Sequence, residues 1–258
     1  RSTAWASSQP IYFYAKFNKP FKSHGIALND LLQPGLKKGS GKNVKLYIQF
    51  NNPGKVLAKV GISAISAEGA LQNLNTEIPD FNFKKTENQA KAAWNKELSK
   101  IAVESTDKNK LSIFYTALYH CFSSPNLFMD VDGKYFGIDK KVHQAEGFDN
   151  YTVFSLWDTY RTEHPLLSII DRKRTTDFIN TFLNQHKNGG LLPIWELAGN
   201  ETYCMIGNHS IPVILDAYRK GITGFDANLA FEAMKSAVNR NQFGLDSYRN
   251  NGLVLADD

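Results

Sequence analysis

The densest run of chemically capable side chains lies between Phe148 and Pro165, FDNYTVFSLWDTYRTEHP. An indole offers a flat apolar face that can lie against the C–H face of a sugar ring. A carboxylate and a guanidinium offer charge-assisted hydrogen bonds to neighbouring hydroxyls. Trp157, Asp158 and Arg161 bring all three groups together. On a helix over 149–167, at ~100° per residue, Phe154, Trp157, Arg161 and His164 fall along one stripe. A buried Arg needs a carboxylate partner, and Asp158 is adjacent. The same residue types also make an ordinary helix with Trp157 in the core and Asp158 paired to Arg161. On residue types alone that plainer role stands first. Pro165 interrupts the expected helix because it lacks a backbone donor.

The second cluster is Leu191–Ser210, LLPIWELAGNETYCMIGNHS. A loop carrying Trp195, Gly199 and Asn200 leads into an expected helix over 201–220. Glu201, Met205 and His209 recur at four-residue spacing and share a face of it. That face can line a polar cavity, and Gly207 would let a neighbour approach the helix backbone. The plainer alternative, which spacing favours, has Glu201 stabilising the helix N-terminus and His209 hydrogen-bonded in the core. Glu196 has a similar case with less context.

Other chemistries are excluded by what is missing. His24, His120, His143, His164, His186 and His209 form no HExxH or clustered pattern, and Cys121 and Cys204 form no CxxC, so no metal ligands are assigned. Met129–Gly133 has the start of a calcium loop without its later ligands and reads as a turn. Nucleophile elbows, P-loops and GxGxxG are absent. The sequons at Asn150, Asn200 and Asn208 lie inside the polar clusters and read as chance matches. Lys and Arg number 30 against 25 Asp and Glu, a net charge of +5 spread along the chain. The short basic run at Asp171–Arg174 is a solvated helix end, so no nucleic-acid partner is expected. The chain has 258 residues, 42% of them hydrophobic, which excludes disorder as the main state. No apolar run approaches the ~20 residues of a membrane span.

The elements that must position these clusters follow a β-then-α order. Ile11–Phe17, the last part of an extended run from Trp5, reads as strand. Val44–Phe50 alternates cleanly, with Val44, Leu46, Ile48 and Phe50 on one face. Asn51-Asn52-Pro53-Gly54 is strong turn chemistry, and Val56–Ser63 is the next strand; Gly35–Asn43 is a solvated loop. From Ser66 the period changes. Helices are expected over 87–104, 107–122, 149–167, 172–186, 201–220 and 227–240, with Asp226 as an N-cap. Gly189–Gly190 and Gly221 sit just past helix ends. A small hairpin is expected over 128–136, turning at Asp132-Gly133. No βαβ alternation occurs, so no parallel sheet is expected, and the order argues for two domains. The chain starts at Arg1 rather than Met and shows no clear stop after Gly252, so it is expected to be a piece of a longer polypeptide.

In their order and separation, FSLWDTYRTEHPLL and GGLLPIWELAGNETYCMIGNHSIPVILDAYRKG resemble the family-92 glycoside hydrolases, calcium-dependent, inverting, exo-acting α-mannosidases common in Bacteroidetes. The opening RSTAWASSQPIYFYAKFNKPF resembles the late part of that family's N-terminal β-sandwich. The resemblance implies the end of an antiparallel β-sandwich (1–65), a linker with helix (66–106) and the first helices of an incomplete (α/α)6 toroid (107–258). It implies that Trp157 and Asp158 line the subsite for a terminal mannose, that Arg161 anchors Asp158 or a hydroxyl, and that Glu201, Met205 and His209 pack around the same cavity.

The family's general acid and base lie in later Glu-Gly-Asn-Ala-Trp-Gln-Tyr-like and Gly-Asn-Asp-Asp-x-Gly-Gln-like strings, neither of which occurs here. Most calcium ligands are expected outside this chain too. The resemblance therefore implies part of an exo-α-mannosidase, of α-1,2 type, inactive alone. Its partners would be a mannose-containing glycan and the remainder of its own polypeptide, in a periplasmic or exported location. Two rivals stand beside it. One is a non-catalytic carbohydrate-binding or scaffold protein. The other is a complete small glycosidase with Asp158 and Glu201 as its acid/base pair.

Overall fold

The computed structural model describes residues 5–51, 54–242 and 244–255. Its N-terminal part is antiparallel sheet. Strand β1 (Tyr12–Phe17) pairs with β5 (Ala58–Ser63), Phe13 opposite Ile62 and Ala15 opposite Val60. Strand β2 (Ser23–Leu28) lies between β3 (Leu31–Pro34) and β4 (Val44–Gln49). Asn29 and Asp30 both take positive φ (50° and 66°) between the paired Leu28 and Leu31, the backbone of a two-residue hairpin turn. Residues 5–11 add no strand ahead of Tyr12, and Asn52 and Pro53 of the expected turn lie outside the described residues.

Helix α1 (Ala67–Glu77), which periodicity missed, covers one face of the β1–β5 pair, and Ser66 caps it by accepting from the Gly69 N–H. Gly61 allows this contact, since a Cβ there would stand 2.2 Å from the Ala70 carbonyl oxygen. Helix α2 (Phe83–Leu98) is capped by Asn82, so it starts before the expected Glu87 and ends before Ile101. Helix α3 (Lys108–Cys121) fills the expected 107–122 behind an Asp107 cap, and Trp94 of α2 tilts against Tyr119 at 4.5 Å.

The next stretch differs from expectation. Gly133 does close a tight turn, its N–H donating to the Asp130 carbonyl at 2.8 Å. The strands flanking it do not pair with each other. Strand β6 (Asn126–Leu127) pairs with β9 (Tyr151–Thr152), and β7 (Lys134–Phe136) pairs with β8 (Val142–Gln144). The helix expected over 149–167 is broken into β9, β10 (Phe154–Ser155), the one-turn helix α4 (Leu156–Thr159) and α5 (Glu163–Ile170). Tyr-Thr-Val-Phe is a β-branched and aromatic run that favours extended backbone, and Val153 turns left-handed at φ 69°. Pro165 falls in the first turn of α5, where its missing N–H costs nothing.

Helix α6 (Arg172–Gly189) runs from its Asp171 cap to the left-handed Gly190. Strand β11 (Trp195–Glu196) follows, then α7 (Ser210–Arg219), α8 (Ala227–Asn239) and α9 (Leu245–Asn251). The helix expected from Glu201 begins only at Ser210. Asp226 caps α8 as expected, accepting from the Leu229 N–H. The core lies among α5, α6, α7 and α8. Phe154 is fully buried there, edge-on to Phe178 and Phe182 at 5.4 and 4.8 Å.

Two polar clamps tie the sheet and the linker to the segments that follow them. Asp130 accepts from Ser63 Oγ of β5 at 2.7 Å and from Asn73 Nδ2 of α1 at 2.8 Å. Lys100 and Arg174 bridge Glu97 and Asp171, and both cations lie over the Phe122 ring. Among the described residues no helix is long and apolar enough to cross a membrane. Antiparallel strands followed by helices match the expected end of a β-sandwich and the helical region after it.

Candidate functional site

The two sequence clusters meet across one short ladder. Strands β10 and β11 are antiparallel, with Phe154 opposite Glu196 and Ser155 opposite Trp195. The backbone leaves β10 directly into α4, which carries Trp157 and Asp158. Phe154 and Leu156 point into the core, while Trp157, 44% exposed, and Asp158 face out. Ser155 Oγ donates a very short hydrogen bond to Asp158 Oδ2, fixing the carboxylate to the strand that precedes it.

The stripe expected from helical spacing does not exist, because no helix spans it. His164 is buried in the core, edge-on to Phe178 at 5.6 Å, with neither ring nitrogen bonded within the protein. Burial pushes its pKa down to about 4. Arg161 pairs with Tyr160 rather than with Asp158. Its Nη2 donates to Tyr160 Oη at 2.7 Å and its guanidinium lies over the ring. His209 also packs on Tyr160, with ring centroids 4.3 Å apart. Gly207 makes room for it. A Cβ there would stand 2.4 Å from His209 Cε1, and φ is +83°, which a side chain would strain. Trp157, Asp158, Arg161 and His209 thus belong to one region, gathered by β10–β11 and by Tyr160.

Glu201 plays a different part from the one helical spacing assigned. Its carboxylate accepts from three backbone N–H groups, Ile194 at 2.8 Å and Trp195 and Tyr203 at 2.9 Å. This capture keeps 201–209 out of helix and removes the shared face with Met205 and His209. With both oxygens engaged by backbone, Glu201 does not suit proton transfer, which weighs against an Asp158–Glu201 acid/base pair.

Behind the ladder sits a second carboxyl, Glu196, 1% exposed. Thr152 Oγ1 lies 3.0 Å from both of its oxygens and the Gly199 N–H donates to Oε1 at 2.6 Å. Burial raises its pKa to about 7; the Gly199 and Thr152 hydrogen bonds oppose the rise and the nearby negative Glu201 adds to it. Lys140 donates to the Gly199 carbonyl at 2.5 Å and to Asn200 Oδ1 at 2.6 Å. Burial lowers its pKa, against the pull of Glu196. Asn200 ties in the N-terminal segment. Its Oδ1 accepts from the Ser8 N–H and Ser7 Oγ, and its Nδ2 donates to the Ser8 carbonyl. Trp5 meets Trp195 edge-on at 5.5 Å.

The sequence pattern gives Thr152 and Tyr160 no role, places Asn200 only as a loop residue and gives Glu196 little weight. The usable signal was Glu196 one residue ahead of the Ala198-Gly199-Asn200 turn. Among the described residues no group of three or more His, Cys, Asp or Glu could hold a metal ion.

These features match known proteins along the chain. The Glycosyl hydrolase family 92 N-terminal domain model matches residues 1–63, and the Glycosyl hydrolase family 92 catalytic domain model matches residues 69–258. The GH92 α-mannosidase BT3965 from Bacteroides thetaiotaomicron is 36% identical with a TM-score of 0.90, over 98% of this chain and 36% of that one. It has also been solved with mannoimidazole. The GH92 inverting mannosidase BT2199 from the same organism is 27% identical with a TM-score of 0.86, over 95% of this chain and 35% of that one. An uncharacterized secreted glycosidase of Arthroderma benhamiae is 26% identical over 229 residues, 82% of this chain and 25% of that protein. The chain belongs to glycosyl hydrolase family 92, and it spans about a third or less of the length of these relatives.

Proposed function

We propose that this chain is part of an exo-acting α-mannosidase, of α-1,2 type, that hydrolyses terminal mannose with inversion. In this reading residues 1–65 end a β-sandwich, 66–106 link it, and 107–258 begin an (α/α)6 toroid. The observation that carries the reading is the exposed Trp157–Asp158 turn fixed at the β10–β11 ladder, in a chain similar to mannosidases over nearly all its length. Trp157 stacks on the sugar and Asp158 accepts from its hydroxyls. Arg161 and His209, both held against Tyr160, and Glu201, clamping the facing loop, complete this wall of the subsite. Inverting hydrolysis needs two carboxyl groups ~6.5–9.5 Å apart, one acid and one base. We place both, and most of the calcium ligands, in the parts of the polypeptide beyond this chain. The likeness to a protein named as secreted supports an exported location, periplasmic in a Gram-negative cell.

The test is mannose release from α-1,2-, α-1,3- and α-1,6-mannobiosides by the full-length protein, with calcium and with a chelator, beside Asp158→Ala. The reading expects release of the α-anomer's inverted product from the α-1,2 substrate and a fall of ~10-fold or more in kcat/KM for the variant. Unchanged release by Asp158→Ala refutes its role. Binding of mannosides without release points to the carbohydrate-binding alternative.

A further inference from the structure

The ladder that carries Trp157 and Asp158 has two residues on each side, too short to hold its own geometry. The backbone around it is also strained. Val153 (φ 69°) and Ala198 (φ 49°) are left-handed beside Gly199 (φ 73°), and a β-branched residue rarely adopts that conformation. Such strain persists only where neighbouring contacts over-determine it. The contacts here converge on one side chain. Thr152 Oγ1, just before Val153, lies 3.0 Å from both carboxyl oxygens of Glu196 and accepts from the Ala198 N–H at 2.6 Å. The Gly199 N–H reaches Glu196 Oε1 at 2.6 Å. A side chain needed only for filling would be apolar, because a buried carboxyl is costly unless its hydrogen bonds are used.

We propose that Glu196 is the positioning residue of this site. Through Thr152 and the 198–199 backbone, its carboxyl group holds both left-handed junctions in the geometry that presents Trp157 and Asp158 to the sugar. The inference rests on the sugar-binding role proposed above. Glu196 touches no substrate in this arrangement; it acts through β9, β10 and α4.

The experiment uses the full-length protein and three variants, Glu196→Ala, Glu196→Gln and Thr152→Val, with Ile214→Val in α7 as a control for stability loss elsewhere in the core. Kinetics on an α-mannobioside and amide hydrogen exchange over 152–159 and 195–201 are the readouts. Glu196→Ala and Thr152→Val are expected to raise KM about tenfold to a hundredfold with a smaller change in kcat, and to speed exchange in those two segments. Glu196→Gln, whose amide can accept from the Gly199 N–H and donate to Thr152, should restore KM to within about threefold of wild type. Ile214→Val should lower thermal stability without moving KM.

The proposal is overturned if folded Glu196→Ala and Thr152→Val keep wild-type KM and exchange, or if Glu196→Gln is as impaired as Glu196→Ala. If Glu196→Ala does not fold, Thr152→Val and Glu196→Gln decide the matter. A wild-type protein that neither binds nor releases mannose refutes the functional reading instead. The exchange data then decide alone whether Glu196 holds the two segments.

Discussion

Replacing Glu196 by Gln should change how stability depends on pH, and the size of the change follows from burial. A carboxyl ionises near 4.5 in the unfolded chain, whereas in the fold Glu196 is held to about 7, chiefly by burial. Between those values the folded state binds more proton than the unfolded state. Stability from this group is therefore greatest below pH 4.5, falls as pH rises, and levels off above about 7. At about 1.36 kcal/mol per pH unit, the fall is about 3 kcal/mol. Lys140 and Glu201, the charged groups facing the site, are present in both proteins, and so are Glu163 and His164. Burial raises Glu163 to about 7 and lowers His164 to about 4, so their slopes have opposite sign, and both cancel in the difference between variant and wild type. Gln keeps the hydrogen-bonding shape and carries no charge. Urea unfolding of full-length wild type and Glu196→Gln at several pH values from 4.5 to 8 measures the difference. The variant should gain about 3 kcal/mol relative to wild type across that range. A difference that stays constant with pH would show that the fold does not raise this carboxyl above its unfolded value and refute the reasoning.

Three further outcomes follow from the same packing. Trp157→Ala should raise KM for mannosides about tenfold in steady-state kinetics while leaving thermal stability nearly unchanged, because the indole stands outside the buried core. Asp171→Ala removes the N-cap of α6 together with its ion pairs to Lys100 and Arg174, and should cost about 3 kcal/mol in chemical denaturation. Phe178→Ala empties a site bounded by Tyr151, Phe154 and His164, and should cost about 3–5 kcal/mol by the same assay.

What was legible in the sequence was what has a period or a cap. The alternation of Val44–Phe50 became β4, and the spacing of apolar residues after Asp107, Asp171 and Asp226 became α3, α6 and α8 behind those caps. The β-then-α order followed from these. The two segments richest in chemistry were misread as helices for a specific reason. Phe154, Trp157, Arg161 and His164 happen to recur at three- and four-residue intervals, but a left-handed Val153 and strands of two residues leave no periodic trace. Glu201 looked like the start of a helix because its spacing to Met205 and His209 is helical. Its carboxylate instead takes the N–H groups of Ile194 and Trp195 from the preceding segment and that of Tyr203, a local capture that competes with helix.

The same contrast explains why the exposed side chains of the site were easier to name than the ones that place them. Trp157, Asp158 and Arg161 announce themselves by residue type. Thr152, Tyr160 and Asn200 each take a partner distant in sequence: Glu196, His209, and Ser7 with Ser8. Each of those contacts is a directional bond or stack between segments that no window of sequence contains together. Asn200 carries the argument furthest, since its side chain joins the N-terminal segment to the loop that faces Trp157 and Asp158. Together with Trp5 against Trp195, it makes the position of that loop depend on residues at the start of the chain. The sheet and the helical region are therefore coupled at the site itself, as well as through the Asp130 and Lys100–Arg174 clamps behind it.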